Sequence, residues 1–169
     1  MIRAVKPEDA EQLSQIYDAY QSQSGGGWER DPLEPDRMAE HIAAWTPRLP
    51  WLVYCELDKP LGYACAMPWR EQPAFRYTVE TCVYLDASVR GQNLGSQLYR
   101  ALIGQLREQQ FHQALAAIPL PNAASIRLHE KLGFRKVAHF NEVGCQAERW
   151  INLGYWQLLL ARFAPQAAP

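Results

Sequence analysis

The most informative stretch of this sequence is Val89-Arg-Gly-Gln-Asn-Leu-Gly-Ser96, a turn that joins two regular segments. Before it, the β-branched and aromatic run Tyr77–Leu85 predicts a strand. After it, leucines at 94, 98, 102 and 106 form one apolar stripe, which predicts an amphipathic helix over Asn93–Gln109. The first backbone N–H groups of a helix have no intrahelical partner, and the helix dipole is positive at that end. The turn is therefore predicted to hold a phosphate or a pyrophosphate.

The composition of this turn excludes two familiar phosphate loops. It has no Lys-Ser or Lys-Thr pair to hold a nucleotide with Mg²⁺, so it is not a Walker A loop. It also lacks Gly-x-Gly-x-x-Gly and lies in the middle of the chain, which disfavours a Rossmann fold. Arg90 and Arg100 would add positive charge nearby. The alternative is an ordinary connection between a strand and a helix.

Length and composition indicate one globular domain. The 169 residues are 48% hydrophobic and 21% charged, with a formal net charge of −1, so nothing favours nucleic acid or an anionic membrane as a partner. No apolar run approaches the roughly 20 residues that cross a bilayer, and the first residues contain no apolar signal segment. We therefore expect a cytoplasmic protein with a single domain over residues 1–164 and a frayed tail over residues 165–169.

The four cysteines do not predict a metal or redox site. Cys55, Cys65, Cys82 and Cys145 show no C-x-x-C spacing and have no nearby histidine pair. Without an export signal, their even number does not indicate disulfides. We expect all four to be small buried hydrophobic residues, and we expect no bound metal.

The periodicity of the whole chain predicts an α+β fold, with a central mixed sheet and helices on its faces. The strands are predicted over Ile2–Val5, Trp51–Cys55, Leu61–Met67, Tyr77–Leu85, His112–Ile118, Phe134–Val143 and Trp150–Leu160. The helices are predicted from near Pro7, over Asp36–Trp45, over Asn93–Gln109, and from Asn122 to the glycine stop at Gly133. The polar, glycine-rich segment Gln21–Pro35 is predicted to be a functional loop.

Glu80 is the first candidate for chemistry. It lies in the middle of the predicted strand Tyr77–Leu85, on the same face as Cys82 and Tyr84. A carboxylate buried there without a partner would cost several kcal/mol, so it must meet solvent, a cation or a substrate. One interpretation is an ion pair with an arginine. The other is a general base whose pKa is raised by an apolar pocket.

Asn122 and His129 are seven residues apart, which places them on one face of their predicted helix. Asn122 is also a plausible N-cap, and His129 could be an ordinary partly buried histidine. The functional interpretation is that Asn122 donates its amide to a ligand and that His129 moves a proton near neutral pH. Ligands of open sheets bind where parallel strands end, so the anion-binding turn, Glu80 and His129 are expected to surround one ligand.

These residues together resemble the GNAT superfamily of acetyl-CoA-dependent N-acetyltransferases. Arg90-Gly-Gln-Asn-Leu-Gly95 resembles the pyrophosphate loop of that family, with Asn93 where glycine is usual. Asparagine is the commonest substitute for glycine at positive φ. Within the superfamily, the chain is most similar to the phosphinothricin and methionine sulfoximine N-acetyltransferases. This similarity is carried by residues 49–53, 62–69, 78–84, 120–134 and 150–158.

The resemblance implies a twisted, mostly antiparallel sheet of about seven strands with four helices, acetyl-CoA as cofactor, and a homodimer. It implies that Glu80 is the catalytic carboxylate and that His129 is an active-site histidine. The implied cofactor-binding residues are Val83, Tyr84, Leu85, Arg90, Gly91, Gln92, Asn93, Leu94, Gly95, Ser96, Asn122 and Ser125. The implied substrate-binding residues are Trp28, Arg70, Phe75, Cys82 and Tyr84.

The expected reaction is direct transfer of an acetyl group to the primary amine of a small amino-acid-like substrate, without a covalent enzyme intermediate. Arg70 is the candidate partner for a substrate carboxylate, or else a solvated loop arginine. The chain departs from the phosphinothricin-acetylating relatives at Gln72, Phe75, Cys82 and Pro119. Two alternatives therefore stay open: a different amine, such as a polyamine, an aminoglycoside or a protein N-terminus, and a CoA-binding module without catalysis.

Overall fold

A computed structural model describes residues 1–24, 32–146 and 148–162 of the chain. The described strands are β1 (Ile2–Ala4), β2 (Trp51–Glu56), β3 (Lys59–Pro68), β4 (Thr78–Leu85), β5 (Gln113–Leu120), β6 (Arg135–Gln146) and β7 (Arg149–Leu159). The described helices are α1 (Ala10–Ser24), α2 (Pro35–Trp45), α3 (Leu94–Glu108) and α4 (Ala123–Lys131). A short 3₁₀ turn over Pro7–Asp9 leads into α1.

The strands form one mixed sheet in the order β1-β2-β3-β4-β5-β7-β6. Neighbouring strands are antiparallel except for β4 and β5, which are parallel. The predicted α+β class, with seven strands and four helices in the described part of the chain, is confirmed. The Leu120-Pro121 peptide bond between β5 and α4 is cis. No described helix is long and apolar enough to cross a membrane.

Two apolar cores lie on opposite faces of the sheet. On one face, the predicted stripe of α3 is buried, with Leu98, Leu102 and Leu106 packed against Val79 and Trp156. On the other face, α1 and α2 contribute a second buried cluster against β2 and β3, formed by Leu13, Ile16, Met38, Ile42, Val53 and Tyr63. Burial of each aliphatic side chain contributes roughly 1.5–3 kcal/mol to the stability of the fold. Burial of these side chains therefore holds the helices on the sheet.

The parallel pair β4–β5 opens into a V-shaped gap. The strands pair only at Thr78–Gln113, Val79–Ala114 and Glu80–Leu115. Both strands continue well beyond this point without pairing with each other, β4 to Leu85 and β5 to Leu120. The gap opens at the carboxyl ends of β4 and β5, where β4 leads to α3 and β5 leads to α4. The starts of both helices are therefore near it.

Three expectations from the sequence need correction. Helix α1 runs to Ser24, whereas Gln21 was predicted to begin a loop. The ring of Tyr20 packs edge-on against Tyr84 at 5.1 Å between centroids, which holds this end of the helix on the sheet. Only Cys55 and Cys65 are buried as expected: Cys82 is half-buried in the lining of a cavity, and Cys145 is exposed because β6 is an outer strand that pairs only with β7. Strand β5 continues beyond the predicted end at Ile118 to Leu120.

Candidate active site

The predicted anion-binding turn has open donors. Gly91 and Asn93 both have positive φ, at 79° and 62°, and Asn93 is the residue that precedes α3. Asn93 therefore takes the left-handed conformation that asparagine tolerates better than most residues. Among the described residues, no acceptor pairs with the backbone N–H groups of residues 91–96. Six adjacent donors at the positive end of a helix suit a diphosphate.

Side chains around this turn are held by local hydrogen bonds. The Arg90 guanidinium donates to the Leu85 carbonyl at 3.3 Å, and the Gln92 amide donates to the Ser88 carbonyl at 3.3 Å. From α4, the Lys131 ammonium donates to the Asn93 side-chain oxygen at 3.2 Å. Lys131 thus brings a second cation to the turn, and it links the end of α4 to the start of α3.

Alternate backbone groups of β4 face the V-shaped gap. The Asp86 N–H donates to the Leu61 carbonyl, which sets the phase of the antiparallel pairing with β3. Because hydrogen-bonded pairs alternate along such a ladder, Val83 and Leu85 direct their backbone groups away from β3 and toward β5. Between β4 and α4 lies a cavity of about 40 Å³, here called the gap cavity, whose lining includes Val83, Pro119, Ser125 and His129.

His129 belongs to a buried chain of hydrogen bonds at the closed end of the gap. It is 4% exposed, with its Nδ1 atom 2.7 Å from the Ser125 carbonyl oxygen and its Nε2 atom 3.0 Å from the Tyr99 hydroxyl. The Tyr99 hydroxyl lies 2.6 Å from the Thr81 hydroxyl, which donates to the Leu115 carbonyl at 3.1 Å. Burial lowers the pKa of His129 below its ordinary 6.5, against the opposing effect of the Ser125 carbonyl.

Asn122 caps α4 and contacts α1. Its side-chain oxygen accepts a hydrogen bond from the Ser125 N–H at 3.1 Å, which is the N-cap arrangement considered from the sequence. Its amide donates to the Tyr20 hydroxyl at 2.9 Å. Tyr20 also lines the gap cavity, so the cap and α1 meet at the mouth of the gap.

Glu80 lies in a second cavity of about 370 Å³, here called the Glu80 cavity. The two cavities share Thr81, Cys82 and Tyr84 in their linings. Within the described residues, Glu80 is the only carboxylate of its cavity and has no ion pair, so the arginine interpretation finds no support there. Burial raises the pKa of Glu80 above 4.5.

Aromatic rings form one side of the Glu80 cavity. Trp45 stacks on Trp51 with centroids 5.9 Å apart, and Trp51 stacks on Tyr63 at 5.7 Å. The ring centroid of Tyr63 in turn lies 5.3 Å from that of Tyr84, which also lines the gap cavity. This aromatic wall of Trp45, Trp51, Tyr63 and Tyr84 gives an apolar surface opposite polar groups from β4 and β7.

Tyr155 of β7 also lines the Glu80 cavity. Burial raises the pKa of its phenol, as does the negative charge of Glu80, while Arg70 lowers it. Arg70 itself is exposed and lies over the Trp69 ring, with its guanidinium carbon 5.2 Å from the ring centroid. Arg70 does not line the Glu80 cavity.

Only some of the predicted substrate-binding residues line the Glu80 cavity. Cys82 and Tyr84 line the Glu80 cavity, whereas Arg70 and Phe75 line a separate cleft of about 720 Å³. Phe75 contacts Trp69 edge-on at 5.2 Å between centroids. Trp28 lies outside the described residues.

Four residues of the site were not predicted from the sequence: Tyr20, Tyr99, Lys131 and Tyr155. Tyr99 follows the leucine at position 98 and looks like another core residue, and only its buried hydroxyl indicates a polar partner. Tyr155 occurs in the predicted strand, but nothing local shows which cavity that strand faces. No group of three or more metal-ligating side chains occurs in the described parts of the chain.

Comparisons with known proteins agree with this architecture. The sequence profile of the acetyltransferase (GNAT) family matches residues 13–134. A phosphinothricin N-acetyltransferase of Streptomyces coelicolor is 32% identical over 160 residues, covering 92% of this chain and 94% of that protein. An L-methionine sulfoximine/L-methionine sulfone acetyltransferase of Salmonella typhimurium is 35% identical over 164 residues, covering 96% of each chain.

A solved structure has the same fold with a ligand bound. It is an acetyltransferase from Salmonella typhimurium with its cofactor acetyl-CoA, which has a TM-score of 0.95 and 34% identity and covers 100% of this chain and 98% of its own. The fold, the open turn and these matches show that the chain belongs to the acetyltransferase (GNAT) family. It is an acyltransferase, and its cofactor is acetyl-CoA.

Proposed function

We propose that this enzyme transfers an acetyl group directly to the primary amine of a small amino-acid-like substrate, of the phosphinothricin, methionine sulfoximine or methionine sulfone type. The observation that carries this proposal is the position of Glu80, a carboxylate without an ion pair among the described residues, in a cavity that adjoins the gap between β4 and β5. The two relatives described above act on compounds of this type, as their names state. A cavity of about 370 Å³ is suited to an amino-acid-sized molecule.

The cofactor fits the residues around the gap. The open N–H groups of residues 91–96 would hold the diphosphate, with Arg90 and Lys131 nearby. Backbone groups of Val83 and Leu85 would pair with the amides of the pantetheine arm, as a further strand would. Asn122 and Ser125 would border that arm from α4. When bound, acetyl-CoA supplies an acetyl group activated as a thioester.

Glu80 is proposed as the general base. An ammonium group must lose a proton before its nitrogen can attack a carbonyl, and a Glu80 carboxylate oxygen would accept that proton directly or through water. Its raised pKa makes it a better proton acceptor than an exposed glutamate. The Val83 N–H would stabilise negative charge that develops on the carbonyl oxygen. His129 would assist as a catalytic residue from the gap side.

The proposed substrate contacts come from the cavity and its edge. Cys82, Tyr84 and the aromatic wall would contact the side chain of the substrate. Arg70 would bind the substrate carboxylate from outside the Glu80 cavity, and its charge already lowers the pKa of Tyr155 in the lining. Phe75 would act through its contact with Trp69. Trp28, which lies outside the described residues, is also proposed to contact the substrate.

We also propose a single domain over residues 1–164 that forms a homodimer. The described sheet already runs from Ile2 to Leu159 as one unit. Large apolar side chains are exposed on β6 and β7, including Phe140 at 47% and Trp150 at 67% exposure. Such a patch is typical of a surface that binds another protein. Sedimentation analysis of wild type and Trp150→Arg tests this, because a dimer through this surface predicts a shift of the variant toward monomer.

A panel of amines tests the substrate proposal. Acetyl transfer is measured with phosphinothricin, methionine sulfoximine and methionine sulfone, against a polyamine, an aminoglycoside and a peptide N-terminus, with Glu80→Gln as control. We expect the amino-acid-like amines to be acetylated with the highest kcat/KM. A preference for any other amine would overturn the substrate class, and binding of CoA without turnover on any amine would indicate a non-catalytic module.

A further inference from the structure

Two cysteine thiols face each other in the lining of the Glu80 cavity. Cys65 of β3 and Cys82 of β4 are direct partners in the antiparallel pairing, and their sulfur atoms are 3.2 Å apart. Directly opposed residues in such a ladder have Cα atoms roughly 4.5–5.5 Å apart. This separation lies within the range that a disulfide spans, so a bond requires mainly that the sulfurs close to about 2.05 Å.

The two thiols differ in accessibility. Cys65 is 2% exposed, whereas Cys82 is half-buried and lines both the Glu80 cavity and the gap cavity. The hydrogen bond with Cys82 and burial both raise the pKa of the Cys65 thiol. A small reagent therefore reaches the Cys82 sulfur more readily than the Cys65 sulfur, and from the gap cavity it meets Cys82 alone.

We propose that Cys65 and Cys82 form a reversible oxidation site that takes low-molecular-weight disulfides. In the first step, the Cys82 thiolate attacks one sulfur of the small disulfide, a mixed disulfide forms, and one small thiol leaves. In the second step, the Cys65 sulfur, having lost its proton to solvent, attacks the Cys82 sulfur and displaces the second small thiol. Two protein thiols are thus oxidised to one disulfide, and one small disulfide is reduced to two thiols.

Oxidised glutathione is the probe for this site. In Cys145→Ser, which lacks the exposed thiol that would itself take up glutathione, we expect the protein to lose two thiols and two hydrogens in mass, without retaining glutathione, and to regain both on treatment with dithiothreitol. Wild type should form the same bridge and carry, in addition, one glutathione on Cys145. Peptide mapping should locate the bridge between Cys65 and Cys82. Cys55→Ser is the matched control, because Cys55 is buried and lies outside the pair, and this variant should oxidise as wild type does.

Single substitutions within the pair separate the two roles. Cys65→Ser should stop at a stable mixed disulfide with one glutathione on Cys82, whereas Cys82→Ser should leave Cys65 unreacted. A thermal unfolding curve confirms that each variant is folded. Cys65→Ala repeats the test of Cys65→Ser with a different replacement. Unchanged thiols in wild type, a bridge between other cysteines, or equal reaction of both variants would overturn the proposal. These readouts do not use acetyl transfer, so their outcome does not depend on whether the proposed function is correct.

Discussion

The Nε2 atom of His129 lies 3.0 Å from the Tyr99 hydroxyl, and both side chains are buried between α3, α4 and the sheet. In neutral His129, Nδ1–H donates to the Ser125 carbonyl and Nε2 accepts from Tyr99. In the protonated ring both nitrogens donate, and the Tyr99 hydroxyl turns its proton toward Thr81, which donates to the Leu115 carbonyl. Each state satisfies its donors, so both protonation states of His129 fit the same heavy-atom positions.

This chain predicts the effect of Tyr99→Phe. The substitution removes the group that bonds Nε2 of His129 and the Thr81 hydroxyl, both in buried surroundings. We expect unfolding free energy to fall by about 1–3 kcal/mol, the usual cost of leaving a buried polar group without its partner. We also expect kcat to fall more than KM changes, measured by steady-state kinetics. Tyr54→Phe, which loses only an exposed hydrogen bond to Glu56, is the control and should be near wild type.

Acid should destabilise the fold through His129. Its pKa is below 6.5 in the folded protein, so just below pH 6.5 the unfolded chain binds more protons than the folded one, and stability falls as pH decreases through this window. We expect the free energy of unfolding of wild type to decline there, as followed by urea denaturation at several pH values. His129→Gln should show a flatter profile over the same range. An identical decline in both proteins would mean that other groups cause it.

Replacement of Glu80 by glutamine separates catalysis from stability. If Glu80 is the general base, Glu80→Gln lowers kcat/KM by roughly 10²–10⁴, while acetyl-CoA still binds. The raised pKa means that the folded protein binds more protons than the unfolded chain above pH 4.5, so ionised Glu80 costs stability at neutral pH. The variant should therefore unfold at a higher temperature than wild type near pH 7, and this difference should vanish below pH 4.5. Retained turnover would remove Glu80 from the chemistry.

The turn before α3 should accept glycine but not a branched residue at position 93. Asn93 has φ 62°, a conformation that glycine adopts freely and that costs other residues about 1–2 kcal/mol. We expect Asn93→Gly to keep wild-type affinity for acetyl-CoA, apart from the loss of the Lys131 contact, and Asn93→Val to weaken it. Isothermal titration with acetyl-CoA measures both. Equal affinities for the two variants would show that this backbone geometry does not govern binding.

The helices, the order of the strands along the chain and the places of Glu80 and Asn122 in their elements could be predicted because they depend on local patterns. The leucine stripe of α3 and the alternation around Glu80 each occur within one segment, and burial then favours one face. The Asn122 cap is equally local, since its acceptor and donor are three residues apart.

Features that depend on register between distant segments could not be predicted in this way. The gap arises because β4 and β5 pair at only three positions, and nothing within either strand encodes where that pairing stops. Tyr99 resembles its core neighbours until α4 and β4 bring polar partners to it. Likewise, Cys65 and Cys82 are seventeen residues apart, and only the register of β3 on β4 makes them a pair.

The aromatic wall has a practical consequence. Trp45 and Trp51 are stacked in the lining of the Glu80 cavity, and Tyr63 continues the stack. An occupant of that cavity changes the polarity beside both indole rings, so an acceptor that binds where we propose would change the native fluorescence. The molecule thus contains its own optical reporter, and titration of unlabelled protein can rank amines by dissociation constant before any turnover is measured.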